Sequence, residues 1–298
     1  MIRMKRLIVL LFLVGMLMIF SSVAMVETTG VMTASSREKV YTSEDRQIFD
    51  RYIAYIAPWR LASTDSLLEK TALFFRDTPY VSHTLEIDND ERLVVNLRQF
   101  DCTTFVESVI ALVRTACSIN PDFDSFLNEL QYIRYRGGNL QGYASRLHYT
   151  TDWLYDNEKK GLLKNISAGL GGILEEKTID FMTTHRDAYK QLKSDDALLK
   201  EMELCENRVN ERGGFYYLPK ESIADKKDLI PHFSVIAFTT TLKGLDVTHM
   251  GFSFQDRDKL TFIHASSRQG KVVIDQKSLH DYCGGQSSCT GIIVVKCI

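Results

Sequence analysis

The chain has 298 residues, 45% of them apolar, and its 36 basic against 38 acidic side chains give a formal net charge of −2. That balance offers no basic surface for a nucleic-acid partner, and six cysteines in this length are too sparse for a disulfide scaffold. The apolar content is ample for a core, and the length behind a leader suits one domain at the upper end of the usual range.

The chain opens "MIRMKRLIVLLFLVGMLMIFSSVAM". Arg3, Lys5 and Arg6 precede an apolar run from Leu7 to Phe20, and Ser22 and Ala24 supply small residues for cleavage after Ala24. Fourteen apolar residues fall short of the roughly 20 that a membrane span needs. A removable signal peptide over 1–24 is therefore expected rather than an anchor. Its loss takes three bases and no acid, leaving a net charge near −5. The product is expected to be exported, periplasmic or in the cell envelope, with no stable membrane span, and to act as a monomer. Residues 25–40 are Ser/Thr-rich without periodicity and read as a flexible leader.

A cap-like start at Thr42 and helical spacing at Ile48, Tyr52 and Tyr55 predict a first helix. A second follows Ser63 or Thr64, with Leu67, Leu68, Ala72 and Phe75 as its stripe and Pro79 beyond its end. "ERLVVNLRQF" is short and β-prone. It leads into "DCTTFVESVIALVRTACSI", where Cys102, Phe105, Val106, Val109, Ile110 and Val113 repeat at helical spacing. Residues 121–225 read as a helical insertion of helices and loops. The last 70 or so residues change character: "FSVIAFTTT", "LDVTHMGFSF", "KLTFIHAS", "KVVID" and "GIIVVKCI" are short, β-rich and separated by turn residues. Helices first and strands last predict an α+β domain over 41–298, with helices packed on a C-terminal antiparallel sheet.

Within the strand region, "QDRD" separates "DVTHMGFSF" from "KLTFIHAS". A hairpin centred on Asp256 and Arg257 sets Phe254 against Lys259, Phe252 against Thr261 and His249 against His264, with Gly251 leaving the same face open. Directly opposed side chains lie about 4.5 to 5.5 Å apart, so the two imidazoles are expected to be neighbours.

Cys102 has three readings. A cysteine on an apolar helix is commonly a small core hydrophobe, and in an exported protein it is commonly half of a disulfide. Of the other cysteines, Cys283 and Cys289 are the easiest pair to bridge, Cys117 and Cys205 fall in helical patterns that suggest core, and Cys297 is near the end. The third reading is a nucleophile. With Asp101 as N-cap, Cys102 lies in the first turn, where unpaired N–H groups favour a thiolate and can receive an oxyanion. His249 would be base and then acid, and His264 would hold its ring in the useful tautomer. A zinc site using Cys102, His249 and His264 as ligands is the competing chemistry, and a non-catalytic binding protein in which the three residues are a relic is the competing class.

The order "TPYV…FDCTTFVE…THMGF…IHASS" resembles the NlpC-type papain-like cell-wall cysteine hydrolases, in their N-acetylmuramoyl-L-alanine amidase-like branch. "NLRQFDCTTFVE", "YRGGNLQGYASRLHYTTDW", "GLDVTHMGF" and "HASSRQGKVVI" extend the likeness from about Asp45 to the end. The resemblance implies a papain-like fold, a peptidoglycan or muropeptide substrate and no cofactor or metal. It implies Cys102 as nucleophile, His249 as general base, His264 as the orienting residue and Tyr80 beside the nucleophile. The implied bond joins the muramoyl lactyl group to L-alanine; the alternative joins D-glutamate to the diamino acid. One departure is visible: relatives enter the first core strand through a Gly-Asp turn, where this chain has Phe233-Ser234. For substrate contacts the candidates are Asp101, Arg136, Tyr143, Arg146, His148, Tyr149 and Trp153, because arginines grip carboxylates bidentately and aromatic rings pack against sugars.

Overall fold

The computed structural model describes residues 39–87 and 90–298. The expected signal peptide and the leader up to residue 38 lie outside the described residues. Lys39 and Val40, read from sequence as the end of the leader, instead form β1 (Lys39–Val40), paired in parallel with β2 (Leu93–Val94). Among the described residues no helix is long and apolar enough to cross a membrane.

Thr42 caps α1 (Ser43–Ile56) in a reciprocal arrangement: its hydroxyl accepts the Asp45 N–H, and the Asp45 carboxylate accepts the Thr42 N–H. Ser63 caps α2 (Thr64–Phe74). The Asp101 carboxylate accepts the Thr104 N–H at 2.8 Å at the head of α3 (Cys102–Cys117), and the Thr104 hydroxyl accepts the Asp101 N–H at 2.9 Å. The stripe Phe105, Val106, Val109, Ile110 and Val113 is buried, and α4 (Phe123–Arg134) packs against α3.

The middle of the chain holds α5 (Thr150–Lys159) and α6 (Asp196–Asn210). It also holds three strands that the helix-and-loop reading did not anticipate: β3 (Leu163–Asn165), β4 (Ile173–Glu175) and β5 (Phe215–Pro219). Three to five residues give too little period-2 signal to be read locally, and a sheet edge elsewhere in the chain decides their conformation. α5 has no side-chain cap of its own. Asp246, just before the next hairpin, supplies one, accepting the N–H and hydroxyl of Thr151 at 2.7 and 2.8 Å.

The remaining strands are β6 (Val235–Thr240), β7 (Val247–Asp256), β8 (Lys259–Ser266), β9 (Lys271–Ile274) and β10 (Cys289–Cys297). The order across the sheet is β4-β5-β10-β6-β7-β8-β9, with β3 also on β10, and every neighbouring pair is antiparallel. Val235, Ala237, Phe252, Ile263, Ala265, Ile293 and Val295 face the core shared with α1 to α4. Their alternates Ile236, Phe238, Leu260, Phe262, Ile292 and Val294 pack beneath α7 (Leu279–Gly284). Burial on both faces explains why these strands read as near-continuous apolar runs. The result is a mixed α/β fold with a C-terminal antiparallel sheet.

Three local features bear on the sequence reading. Cys283 and Cys289 form a disulfide with Cα atoms 5.6 Å apart, and Cys205 is buried. Cys117, expected in the core, is exposed, because it is the last residue of α3 and lies past the buried stripe. Phe233 has φ +55°, the left-handed conformation that glycine adopts without strain. Its ring, 1% exposed, stacks on Phe252 at 5.8 Å, and the Ser253 hydroxyl fixes the turn by accepting the Ser234 N–H and donating to the Pro231 carbonyl.

Candidate active site

Cys102 is a free, half-buried thiol at the first position of α3. Packing of α3 on β7 brings the sulfur to the backbone N–H of Met250, the residue after His249, which hydrogen-bonds it. Burial pushes the thiol up to about 11 and the Asp101 charge adds to this, while the Met250 N–H and Thr103 oppose it. The resting group is therefore a thiol. Tyr80 is laid beside it by two backbone bonds, its own N–H to the Gly270 carbonyl at 2.8 Å and the Val81 N–H to the Phe100 carbonyl at 3.0 Å. Burial raises the Tyr80 phenol, and Cys102 and Asp101 add to that.

The β7–β8 hairpin differs in register from the expectation. Asp256 pairs with Lys259 and Phe254 with Thr261, so the turn is Arg257-Asp258, with Arg257 at φ +55°. Each β7 residue thus lies opposite a β8 residue two places further along than expected. A shift of two preserves the faces, so His249 and His264 become diagonal rather than opposed neighbours. His249 Nε2 lies 2.5 Å from His264 Nδ1, with ring centroids 4.8 Å apart. Gly251 permits this, since a Cβ there would come within 2.6 Å of the Ile263 carbonyl and 2.8 Å of His264 Cβ. Burial lowers His249 to about 3, helped by His264, and lowers His264 to about 3. Both imidazoles are neutral near pH 7.

Two residues at this site carried no sequence signal. Asp275, just past β9, places Oδ2 3.4 Å from His264 Nε2. Tyr282 on α7 sets its ring 6.1 Å from that of His249 and 5.7 Å from that of His264. Burial pushes its hydroxyl up to about 12, with Asp275 and Cys102 adding to the shift. It therefore stands within electrostatic reach of both the thiol and the imidazole pair. An aspartate ending "KVVID" and a tyrosine in "HDYCGG" look like ordinary surface residues until the sheet is assembled.

A cleft of about 560 Å³ opens onto Cys102, lined among others by Tyr80, Asp101, Tyr143, Arg146 and His148. Arg146 is largely committed: it pairs with Glu86 at 2.6 Å and Glu91 at 3.4 Å, and lies 4.9 Å above the Tyr143 ring. His148 bonds the Tyr143 carbonyl at 2.9 Å, and burial holds it well below the usual imidazole range. Asp101 Oδ1 is occupied by its helix cap. Arg136 and Tyr149, expected as substrate contacts, are not on this cleft. The Arg136 guanidinium is held bidentately by Asp152 at 2.7 and 3.1 Å. Tyr149 is buried, with its hydroxyl donating to Glu206 at 2.7 Å and accepting the Met182 N–H. Trp153 is also core. A separate cavity of about 320 Å³, lined by Tyr155, Lys177, Arg212 and Tyr216 among others, contains no thiol or imidazole. Among the described residues no three His, Cys, Asp or Glu side chains converge to hold a metal ion, so Cys102, His249 and His264 do not form the ligand set considered for zinc.

Helices packed on a C-terminal antiparallel sheet, here with a thiol-bearing cleft, are a fold shared with solved amidase structures. The chain belongs to the AmiA-like family, described as N-acetylmuramoyl-L-alanine amidase-like, which matches residues 70–290. It is similar to an N-acetylmuramoyl-L-alanine amidase from Bacteroides uniformis, at 36% identity over 77% of this chain and 98% of that one, with a TM-score of 0.73. A Bacteroides fragilis protein, provisionally named a xylanase, is 37% identical over 76% of this chain and 98% of its own, with a TM-score of 0.71. A Legionella pneumophila protein shares the fold at 22% identity, over 86% of this chain and 94% of its own, with a TM-score of 0.64. No curated protein matches the chain.

Proposed function

We propose that the protein is an exported cysteine hydrolase of the papain-like, NlpC type that cleaves the amide between the muramoyl lactyl group and L-alanine in peptidoglycan or muropeptides. The observation that carries this reading is a free thiol at a helix N-terminus, bonded to the strand that presents a paired imidazole.

In this mechanism the substrate carbonyl enters the cleft over Cys102, and His249 takes the thiol proton as sulfur attacks. Because thiol and imidazole are both neutral at rest, proton transfer accompanies attack instead of preceding it. The oxyanion meets the Cys102 N–H, which lies in the first helical turn and has no intrahelical acceptor, and the Tyr80 hydroxyl. Collapse expels the L-alanine amine with the proton from His249. Water, deprotonated by the same imidazole, then releases the muramoyl carboxylate from the thioester. His264 holds the His249 ring throughout.

A glycosidase would need two free carboxyl groups flanking the scissile bond. In this cleft Glu107 is locked to Arg134 at 2.7 Å and Asp101 caps α3, which favours amide chemistry. The test is mass spectrometry of products from a defined disaccharide-peptide. Free sugar and intact stem peptide are expected from the wild type and neither from Cys102→Ala, with folding unchanged by circular dichroism. A dipeptide left on the sugar would mean endopeptidase cleavage, and an active Cys102→Ala protein would refute the nucleophile.

A further inference from the structure

His264 stands between two partners. Its Nδ1 faces His249 Nε2 at 2.5 Å, and its Nε2 faces Asp275 Oδ2 at 3.4 Å. That Nε2 is buried and has no hydrogen-bond partner, and the Asp275 carboxylate at 3.4 Å is the charged group that faces it. In a neutral imidazole one nitrogen carries the proton and the other accepts, and an ionised carboxylate only accepts. A lone pair on Nε2 would oppose the carboxylate in a side chain 1% exposed, so the proton belongs on His264 Nε2. His264 Nδ1 is then an acceptor. His249 must meet it with Nε2–H, which leaves the His249 lone pair on Nδ1.

We infer that Asp275 sets the tautomers of both imidazoles and so aims the free lone pair of the pair at His249 Nδ1. Its use in taking the Cys102 proton rests on the cysteine reading above; the tautomer assignment does not. Asp275 is a positioning residue, and it is itself firmly placed. Its Oδ1 accepts the Lys277 N–H at 2.8 Å, its backbone N–H donates to the Phe262 carbonyl at 2.9 Å, and its carbonyl accepts the Thr261 hydroxyl at 2.8 Å. Only Oδ2 remains for His264.

That placement makes Asp275→Asn a directed test. The Lys277 N–H demands an oxygen, so the new amide is expected to keep its oxygen there and turn its NH₂ toward His264. Nε2 must then accept, His264 Nδ1 must donate, and His249 must carry its proton on Nδ1, the wrong nitrogen for a base. The expected result is a fall in kcat of about 10²- to 10⁴-fold with KM little changed. Nitrogen-15 spectra of imidazole-labelled protein should show Nε2–H on both rings in the wild type and Nδ1–H on both in the variant. Nδ1–H on these rings in the wild type would overturn the inference, and that spectrum requires no variant to fold. Wild-type tautomers or wild-type kcat in Asp275→Asn would overturn it equally. An active Cys102→Ala protein whose spectrum still shows Nε2–H on both rings would remove the cysteine reading and leave this assignment standing.

Discussion

His264 lies diagonally across the β7–β8 hairpin from His249, nitrogen to nitrogen at 2.5 Å, and is sealed beneath the Phe262 ring at 4.1 Å. His249 is half-buried and so the less enclosed of the two rings, which suits it to the proton-transfer role proposed above. His249→Ala should therefore lower kcat by about 10²- to 10⁴-fold. The loss in His264→Ala should be about tenfold smaller, because orienting a base is worth less than supplying one. Steady-state kinetics on a defined muropeptide checks this, and equal losses would mean the two roles are wrongly divided.

A thiol pushed up to about 11, with the proposed base lowered to about 3, should not ionise spontaneously near neutrality. Peptide-resolved alkylation by iodoacetamide should be slow at Cys102 at pH 7 and rise about tenfold per pH unit into the alkaline range, since only thiolate reacts. Alkylation already at its plateau by pH 6 would instead reveal a preformed thiolate–imidazolium pair.

The imidazoles also couple stability to pH. In the unfolded chain each takes its proton near 6.5, whereas in the folded protein both stay neutral down to about 3. Between those values the unfolded state binds more protons, so stability is full above about pH 6.5 and falls as pH drops toward 3. For the buried His264 the slope is on the order of 1.4 kcal/mol per pH unit. Urea unfolding at several pH values should show it, and His264→Gln should flatten it.

Gly251 lies where β7 passes His264 with no room for a methyl group. Gly251→Ala should force the strands apart or turn the His264 ring, at a cost of about 1 to 3 kcal/mol, and kcat should fall with it. Thermal melts and kinetics on the same protein provide the check; a variant with wild-type turnover would show that the diagonal contact is not needed.

What could be read from the chain alone divides by distance. The caps at Thr42, Ser63 and Asp101 and the buried stripe of α3 depend on neighbours three or four residues away, and the pattern contains them. The shared face of His249 and His264 was legible because parity survives any even shift. The true register was not, because nothing in "QDRD" marks Arg257 as the residue that accepts a positive φ. Arg136 and Tyr149 were misplaced because a cation or an aromatic ring has the same sequence signature in a cleft as in a buried pair, and their partners Asp152 and Glu206 stand 16 and 57 positions away. Asp275 had no signal for the same reason, since its meaning comes only from the ring across the sheet.

β10, last of the strands in chain order, lies at the centre of the sheet, bonded to β6 on one side and to β5 and β3 on the other. Until residue 297 has left the ribosome, β6 and β5 both present raw edges to the solvent, and the two halves of the sheet have nothing to join them. Such long-range closure is slow and open to aggregation. The nine residues of β10 thus act as the keystone of assembly, since the two halves of the sheet join only when this strand pairs with β6, β5 and β3.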